Sequence, residues 1–349
     1  MKQAASANRF ARHPLATAAG IVTALVIVLI IIAELMARSL GLGDPIIYET
    51  DPLYKYRPRA NQTVHRLGGA VIHINDIGIR ANDDWGTDAN RKVLFVGNSV
   101  TYGGSYVSND DIFAIRAVPR TNGWVGGSGG VNGWGVENMH ALIVERRFNP
   151  AKVYVTVLLK SDFFRGTSPR RSVFPTTRPR LALAEAVPHV VLRARERVRQ
   201  LAPSLFVTHK KVSPAEMPRA LAERAVVRLK EMDEYLKGQG FVHLIYMSPT
   251  IGELKDLDDG EGIEINLLAA GIAFQRIQNR PEARAVPREM MDALYKDGYH
   301  LSKAGHELWA TIIGKDLRAC GVGGTKPLDC SAVPRYTRGD TGDPQAFSR

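Results

Sequence analysis

A serine hydroxyl attacks a carbonyl only if a base takes its proton and a third group holds that base in the right tautomer. Ser99 is the serine this chain displays best. The run Val93-Leu94-Phe95-Val96 stops at Gly97, and Asn98 and Ser99 follow at once. That order puts a hydroxyl at the carboxyl end of a buried strand, where open α/β sheets carry their sites. The base and its orienting group are read in His300 and Asp297, which share a turn just before a helix with an apolar stripe. Asp297 can accept from one ring nitrogen and leave the other for Ser99.

Other arrangements are weaker. Gly126-Gly127-Ser128-Gly129-Gly130 fits the Gly-x-Ser-x-Gly elbow of α/β-hydrolases, but it lacks a strong apolar strand before it and a helix opening directly after it. His306 lies inside the last helix and reads as a helix-face residue. His140 and His243 have no carboxylate at useful spacing and read as structural. There is no HExxH, CxxC or carboxylate cluster to hold a metal, and no GxxxxGK[ST] or GxGxxG to hold a nucleotide. We therefore expect no cofactor, no metal and no nucleic-acid partner.

The elements that must position these residues follow from periodicity. Val93–Val96, Val153–Leu159 and Phe241–Met247 are continuous apolar runs and read as strands covered on both faces. Between them, 110–118, 138–147, 181–201 and 214–237 have helical patterns, as does 262–280, and Ser302 is placed to cap a final helix carrying Leu308, Trp309, Ile312, Ile313 and Leu317. Strands separated by helices predict a doubly wound parallel sheet. The stripe Leu221, Ala225, Val226, Leu229, Met232, Leu236 reads as core. Residues 123–135 are dense in glycine. Residues 39–90 read as a tether followed by a small β element, and no internal repeat is evident.

The chain is not purely soluble. Leu15 to Ala33 is an uncharged run of 19 residues, close to the roughly 20 needed to span hydrocarbon. It continues into Glu34-Leu35-Met36-Ala37-Arg38 without a cleavage-like site, so it reads as an uncleaved anchor. Lys2, Arg9 and Arg12 precede it and Arg38 follows, which predicts the amino end in the cytoplasm and the rest beyond the inner membrane, in a periplasm-like space. The net charge is +11, and residues 165–237 hold 16 Lys and Arg against 7 Asp and Glu. That segment reads as an extended loop followed by helices whose apolar stripe is ordinary core, with a cap over the site or a surface docked near anionic headgroups or an anionic polymer as the functional alternative. Cys320 and Cys330 could close a small loop in an oxidising compartment.

On these residues the chain resembles the SGNH (GDSL-like) hydrolases, over roughly 70–165 and 240–318. Gly97-Asn98-Ser99 stands where that family has Gly-Asp-Ser, Ser128-Gly129-Gly130-Val131-Asn132-Gly133 supplies its second-block glycine, and Asp297-Gly298-Tyr299-His300-Leu301 fits its final Asp-x-x-His. The third block, usually Gly-x-Asn-Asp, reads Leu159-Lys160-Ser161-Asp162. Ile74-Asn75-Asp76-Ile77-Gly78-Ile79-Arg80 resembles the segment before the catalytic strand in envelope-anchored members. The resemblance implies a three-layer α/β/α, flavodoxin-like fold and a Ser99–His300–Asp297 triad. It also implies an oxyanion hole from the amides of Ser99 and Gly133 with Ser161, or Lys160 or a water, replacing the usual asparagine. The expected organisation is a cytoplasmic 1–14, a transmembrane 15–38, a tether at 39–90, the α/β domain at 91–318 with a basic insertion at 165–237, and a tail at 319–349. The implied activity is ester hydrolysis on an envelope carbohydrate, the acyl group being acetyl. The alternatives are an O-acyltransferase served by a membrane acyl-donor partner and a catalytically degenerate carbohydrate-binding protein.

Overall fold

The structure is a computed structural model that describes residues 13–167, 174–186, 191, 194, 216–256 and 262–336. Helix α1 (Pro14–Ser39) has 26 residues, about 39 Å at 1.5 Å per residue and so longer than a roughly 30 Å hydrocarbon layer. It is long and apolar enough to cross a membrane, and its Leu25, Ile27, Leu29 and Ile30 are exposed, uncovered by the other described residues. The apolar run ends at Glu34. Its carboxylate accepts from the amides of Ala182 and Leu183 at 2.8 and 3.1 Å, capping a helical turn over 182–186. Of the rest of the helix expected over 181–201 only residues 191 and 194 are described, both helical, and the others lie outside the described residues.

Two antiparallel hairpins follow, β1 (Tyr48–Asp51) with β2 (Lys55–Pro58) and β3 (Gln62–Arg66) with β4 (Ala70–Ile74). The central sheet is built from β5 (Lys92–Gly97), β6 (Val125–Ser128), β7 (Val153–Leu158), β8 (Val242–Met247) and β9 (Gln275–Arg276), all parallel in the order β6-β5-β7-β8-β9. The helices are α2 (Ser99–Tyr102), α3 (Phe113–Arg116), α4 (Val136–His140), α5 (Glu216–Gly238), α6 (Ile251–Asp256), α7 (Gly262–Ala269), α8 (Pro281–Arg284) and α9 (Lys303–Ala319).

Alternate residues of each strand point to opposite faces, and here both faces are packed. Leu94 and Val96 of β5, with Tyr154 and Leu158 of β7, join Met139 of α4 and Val226, Leu229, Met232 and Leu236 of α5. Val93 and Phe95, with Val153, Val155 and Val157, join Phe113 of α3 and Trp309, Ile312, Ile313 and Leu317 of α9. The result is a three-layer α/β/α sandwich, and double coverage explains why β5 and β7 are apolar without alternation.

Several local expectations are corrected. The glycine-dense stretch holds β6, an edge strand without the usual side chains. A Cβ on Gly126 would sit 2.4 Å from the carbonyl oxygen of Ala114 and one on Gly127 2.8 Å from the Trp85 ring, so close packing demands glycine there. The helix expected over 262–280 stops at Ala269 because Gly271, at φ +73°, turns the chain left-handed, with the Ile272 amide donating to the Leu267 carbonyl. Two-residue β9 then follows. The helix expected over 110–118 is a 3-10 turn at Asn109–Asp111 plus α3, and that over 138–147 is α4 plus a π-helical turn at Ala141–Glu145. Cys320 and Cys330 are joined by a disulfide, and the segment up to Tyr336 packs on the sheet, the Tyr336 amide donating to the Phe274 carbonyl at 2.9 Å.

Candidate active site

Strand β5 delivers its last residue into a crowded corner. A Cβ on Gly97 would lie 2.0 Å from Thr101 Oγ1 and 2.6 Å from the Val157 carbonyl oxygen. Asn98, fully buried, then caps α2: its Oδ1 accepts from the Val100 amide at 2.7 Å. Its side-chain nitrogen donates to both carboxylate oxygens of Asp162, at 2.8 and 2.7 Å. Ser99 opens α2, where its amide has no intrahelical acceptor.

The loop before α9 brings the other two members. His300 Nε2 lies 2.9 Å from Ser99 Oγ, and His300 Nδ1 lies 2.7 Å from Asp297 Oδ2. The other oxygen of Asp297 accepts from the amides of His300 and Tyr299 at 2.9 and 3.1 Å, which closes the turn. With Nδ1–H donated to the carboxylate, Nε2 is left to accept from the serine, a tautomer inferred from partners. Burial raises the Asp297 carboxyl, but the His300 side chain and the two amides outweigh it and hold the group below the usual carboxylate range. The loop is anchored on both sides: Tyr106 Oη donates to the Leu301 carbonyl at 2.8 Å, and the Ile251 amide of α6 to the Gly298 carbonyl at 3.0 Å. Ser302 Oγ accepts from the Gly305 amide at 3.3 Å and starts α9.

Gly133 and Ser161 stand on the two loops beside Ser99, and no hydrogen bond joins either to the other three among the described residues. The Gly133 loop is tied to β5 through the Val131 amide on the Gly97 carbonyl at 3.1 Å, and Gly133 itself sits at φ +84°, a left-handed conformation that glycine adopts without strain. Among the described residues its amide has no acceptor. Ser161 is exposed at the end of β7 and its hydroxyl accepts from the Arg165 guanidinium at 3.0 Å. Lys160 turns toward two carboxylates instead, Glu253 at 3.0 Å and Glu264 at 3.6 Å.

The rival residues are occupied elsewhere. Ser128 is buried, donating to the Thr101 carbonyl and accepting from the Gly130 amide. His306 lies on the inner face of α9, fully buried and stacked on Phe113, and burial lowers its imidazole to about 3. His243 does have a carboxylate, because the fold brings Asp233 of α5 to its Nδ1 at 2.8 Å and Thr156 Oγ1 to its Nε2 at 2.8 Å. Thr156 is fully buried. His140 lies between Glu231 at 3.0 Å and Glu145 at 3.4 Å.

Three residues that hold the site escaped sequence reasoning. Arg80, fully buried, donates to the carbonyls of Tyr102, Gly104 and Val107 and to Asn109 Oδ1, fixing the loop after α2, and burial lowers its guanidinium to about 10. Its signal was the Ile74-to-Arg80 phrase. Asp162, also buried, is pushed up to about 6 by desolvation, which outweighs the Arg165 charge and the Asn98 and Leu159 donors. Arg165 had no signal beyond membership of a basic run.

No protein-family model and no curated protein matches the sequence. Solved structures do. A GDSL-like lipase from Bacteroides thetaiotaomicron shares 13% identity over 66% of this chain and 88% of its own, at a TM-score of 0.35. An acetylxylan esterase from Geobacillus stearothermophilus, solved as a catalytic mutant, shares 15% over 68% of this chain and 96% of its own, at 0.35. A carbohydrate esterase whose active site is described as having divergent catalytic and non-catalytic binding functions shares 10% over 79% of this chain and 96% of its own, at 0.38. The chain is similar to solved GDSL-like hydrolases. What its site can do follows from the hydrogen-bonded line Asp297, His300, Ser99: general-base activation of a hydroxyl, the first requirement of acyl transfer through a serine ester.

Proposed function

We propose that this protein is a membrane-anchored serine esterase of the SGNH type that removes O-acyl groups, acetyl foremost, from a cell-envelope carbohydrate. The observation that carries the reading is the unbroken chain from Asp297 through His300 to Ser99 Oγ, at 2.7 and 2.9 Å. Ser99 Oγ attacks the acyl carbonyl while its proton passes to His300 Nε2, and Asp297 holds the imidazolium that forms. The developing oxyanion meets the amides of Ser99 and Gly133 and the hydroxyl of Ser161. As the carbon–oxygen bond to the sugar breaks, His300 gives its proton to the leaving sugar oxygen, which departs as a hydroxyl, and a water repeats the sequence on the acyl-enzyme.

A sugar acceptor in place of that water would make the same site an O-acyltransferase fed by a membrane acyl-donor partner. Solvent access favours hydrolysis: the side chains of His300 and Asp297 are 24% and 50% exposed, so water has open approach to the acyl-enzyme. An open site also suits a pendant acyl group on a polymer. The anchor and its flanking charges support a single-pass protein of the inner membrane with the α/β domain in the periplasm, and the Cys320–Cys330 disulfide suits an oxidising compartment. The test is incubation of the full chain in detergent with a small acetyl ester, with and without oligosaccharide acceptors, followed by mass analysis. Acetate release that ignores the acceptor is expected. Acetylated oligosaccharide formed only with acceptor would favour the transferase, and no turnover with either would contradict both.

A further inference from the structure

The third block of this chain lacks the asparagine that would aim an amide at the oxyanion, and the residue supplied instead is a serine with shorter reach. A hydroxyl rotates freely, so it is a poor preorganised donor unless something fixes its proton. Arg165 is placed to do this. One nitrogen of its guanidinium donates to Ser161 Oγ at 3.0 Å. The other donates to the Trp134 carbonyl at 3.1 Å and lies 3.2 Å from Asp162 Oδ1. A single planar fork thus spans the serine, the residue next to Gly133, and the carboxylate that holds Asn98 beneath Ser99. Gly135 makes room for it, since a Cβ there would sit 3.0 Å from Arg165 Cβ and 2.8 Å from the Asp162 carbonyl oxygen.

The consequence is chemical. With one lone pair of Ser161 Oγ taken by a cationic donor, its proton cannot point at Arg165 and is left to donate away from it. A hydroxyl that accepts a charge-assisted hydrogen bond is polarised into a stronger donor. The same guanidinium fixes the loop carrying the Gly133 amide, so both candidate donors beyond Ser99 depend on one residue.

We propose that Arg165 is a positioning residue that orients and polarises Ser161 as an oxyanion donor and braces the Gly133 loop, taking over the work of the missing asparagine. The inference rests on the esterase reading above.

The test uses the full chain in detergent and a small acetyl ester, comparing kcat and KM for Arg165→Ala, Arg165→Lys, Ser161→Ala and the Arg165→Ala/Ser161→Ala double variant. Losing one well-placed oxyanion donor costs on the order of 10²-fold to 10³-fold, and a shorter-reaching serine is expected to cost less. Each alanine variant should lower kcat by more than about tenfold with KM within about twofold, because the interaction strengthens only as charge develops. The Ser161→Ala step should cost much less in the Arg165→Ala background than in the parent, because the two residues act as one unit. Arg165→Lys keeps the charge but not the fork and should fall between. Unchanged kcat in Arg165→Ala, or losses that multiply in the double variant, would overturn the proposal. If Arg165→Ala does not fold, the cycle is run with Arg165→Lys and the same multiplicative outcome overturns it. A parent protein that neither turns over the ester nor reacts at Ser99 with a serine-directed phosphonate would remove the esterase reading itself, a result distinct from any pattern among the variants.

Discussion

Asn98 links Ser99 to the loop after β7 more firmly than its place in the Gly-Asn-Ser motif suggested. It donates to both oxygens of a buried carboxylate and caps the helix that begins with Ser99. Asp162 is held at about 6, above the value of a free aspartate. A carboxylate raised on folding contributes most below its unfolded value, and that contribution is lost as pH climbs through the folded one. Asn98→Ala removes a donor that favours the ionised form and raises the group further. The variant should be destabilised by roughly 2–4 kcal/mol at pH 8, where Asp162 must be charged, and by clearly less at pH 5. Thermal unfolding at the two pH values checks this, and equal losses at both would count against Asp162 as the partner that matters. His306 works in the opposite direction. Its folded value near 3 lies below the ordinary 6.5, so stability is intact above 6.5 and is lost as pH falls toward 3. Between pH 6 and 4 the parent should lose on the order of 1 kcal/mol per pH unit from this residue. His306→Gln should show a shallower acid slope, and a slope identical to the parent's would contradict the assignment.

Among the elements, what could be read beforehand depended on how many faces a strand buries. Strands β5 and β7 announce themselves because helices cover both sides, so neither face needs polar residues. Strands β6 and β9 do not, the first because close packing replaces side chains with Gly126 and Gly127, the second because two residues carry no period. The turn that sets Asp297 beside His300 is local and visible in the spacing. The partnerships of Asn98 with Asp162 and of Asp233 with His243 join residues on different elements, and no one-dimensional pattern reports them; Arg165 and Ser161 share one turn four residues apart, a spacing that by itself does not single out their contact. The junction of β5 and α2 has its own test. Gly97→Ala drives a Cβ into the Val157 carbonyl and Thr101 and should destabilise the fold by more than about 2 kcal/mol. Gly238→Ala meets nothing within 4 Å at the end of α5 and should be neutral or slightly stabilising. Similar melting temperatures for the two variants would mean that the strand end is looser than described.

At the scale of the whole molecule, the apolar helix α1 does not hang free of the domain. Glu34 near the end of α1 caps the helical turn at 182–186, Arg38 donates to the Arg180 carbonyl at 3.2 Å, and Arg66 of β3 pairs with Glu185. The α/β domain is therefore coupled to the apolar helix α1 through the first part of the basic segment. This coupling, unlike the apolar run itself, was invisible in sequence because its partners lie more than a hundred positions apart. A periplasm-active reporter fused after Arg349 should be active if the flanking charges orient the helix as proposed. A well-expressed but silent fusion, together with an active cytoplasmic reporter at the same site, would reverse the orientation.

The central claim is that Ser99 is a nucleophile activated by His300 and Asp297. It is tested most directly by treating the folded full chain with a serine-reactive phosphonate and mapping the labelled peptide by mass spectrometry. The account predicts one adduct, on Ser99, that is lost in His300→Ala while that variant keeps the parent's melting temperature. An adduct on Ser128 instead, or a parent protein that stays unlabelled while folded, would contradict it.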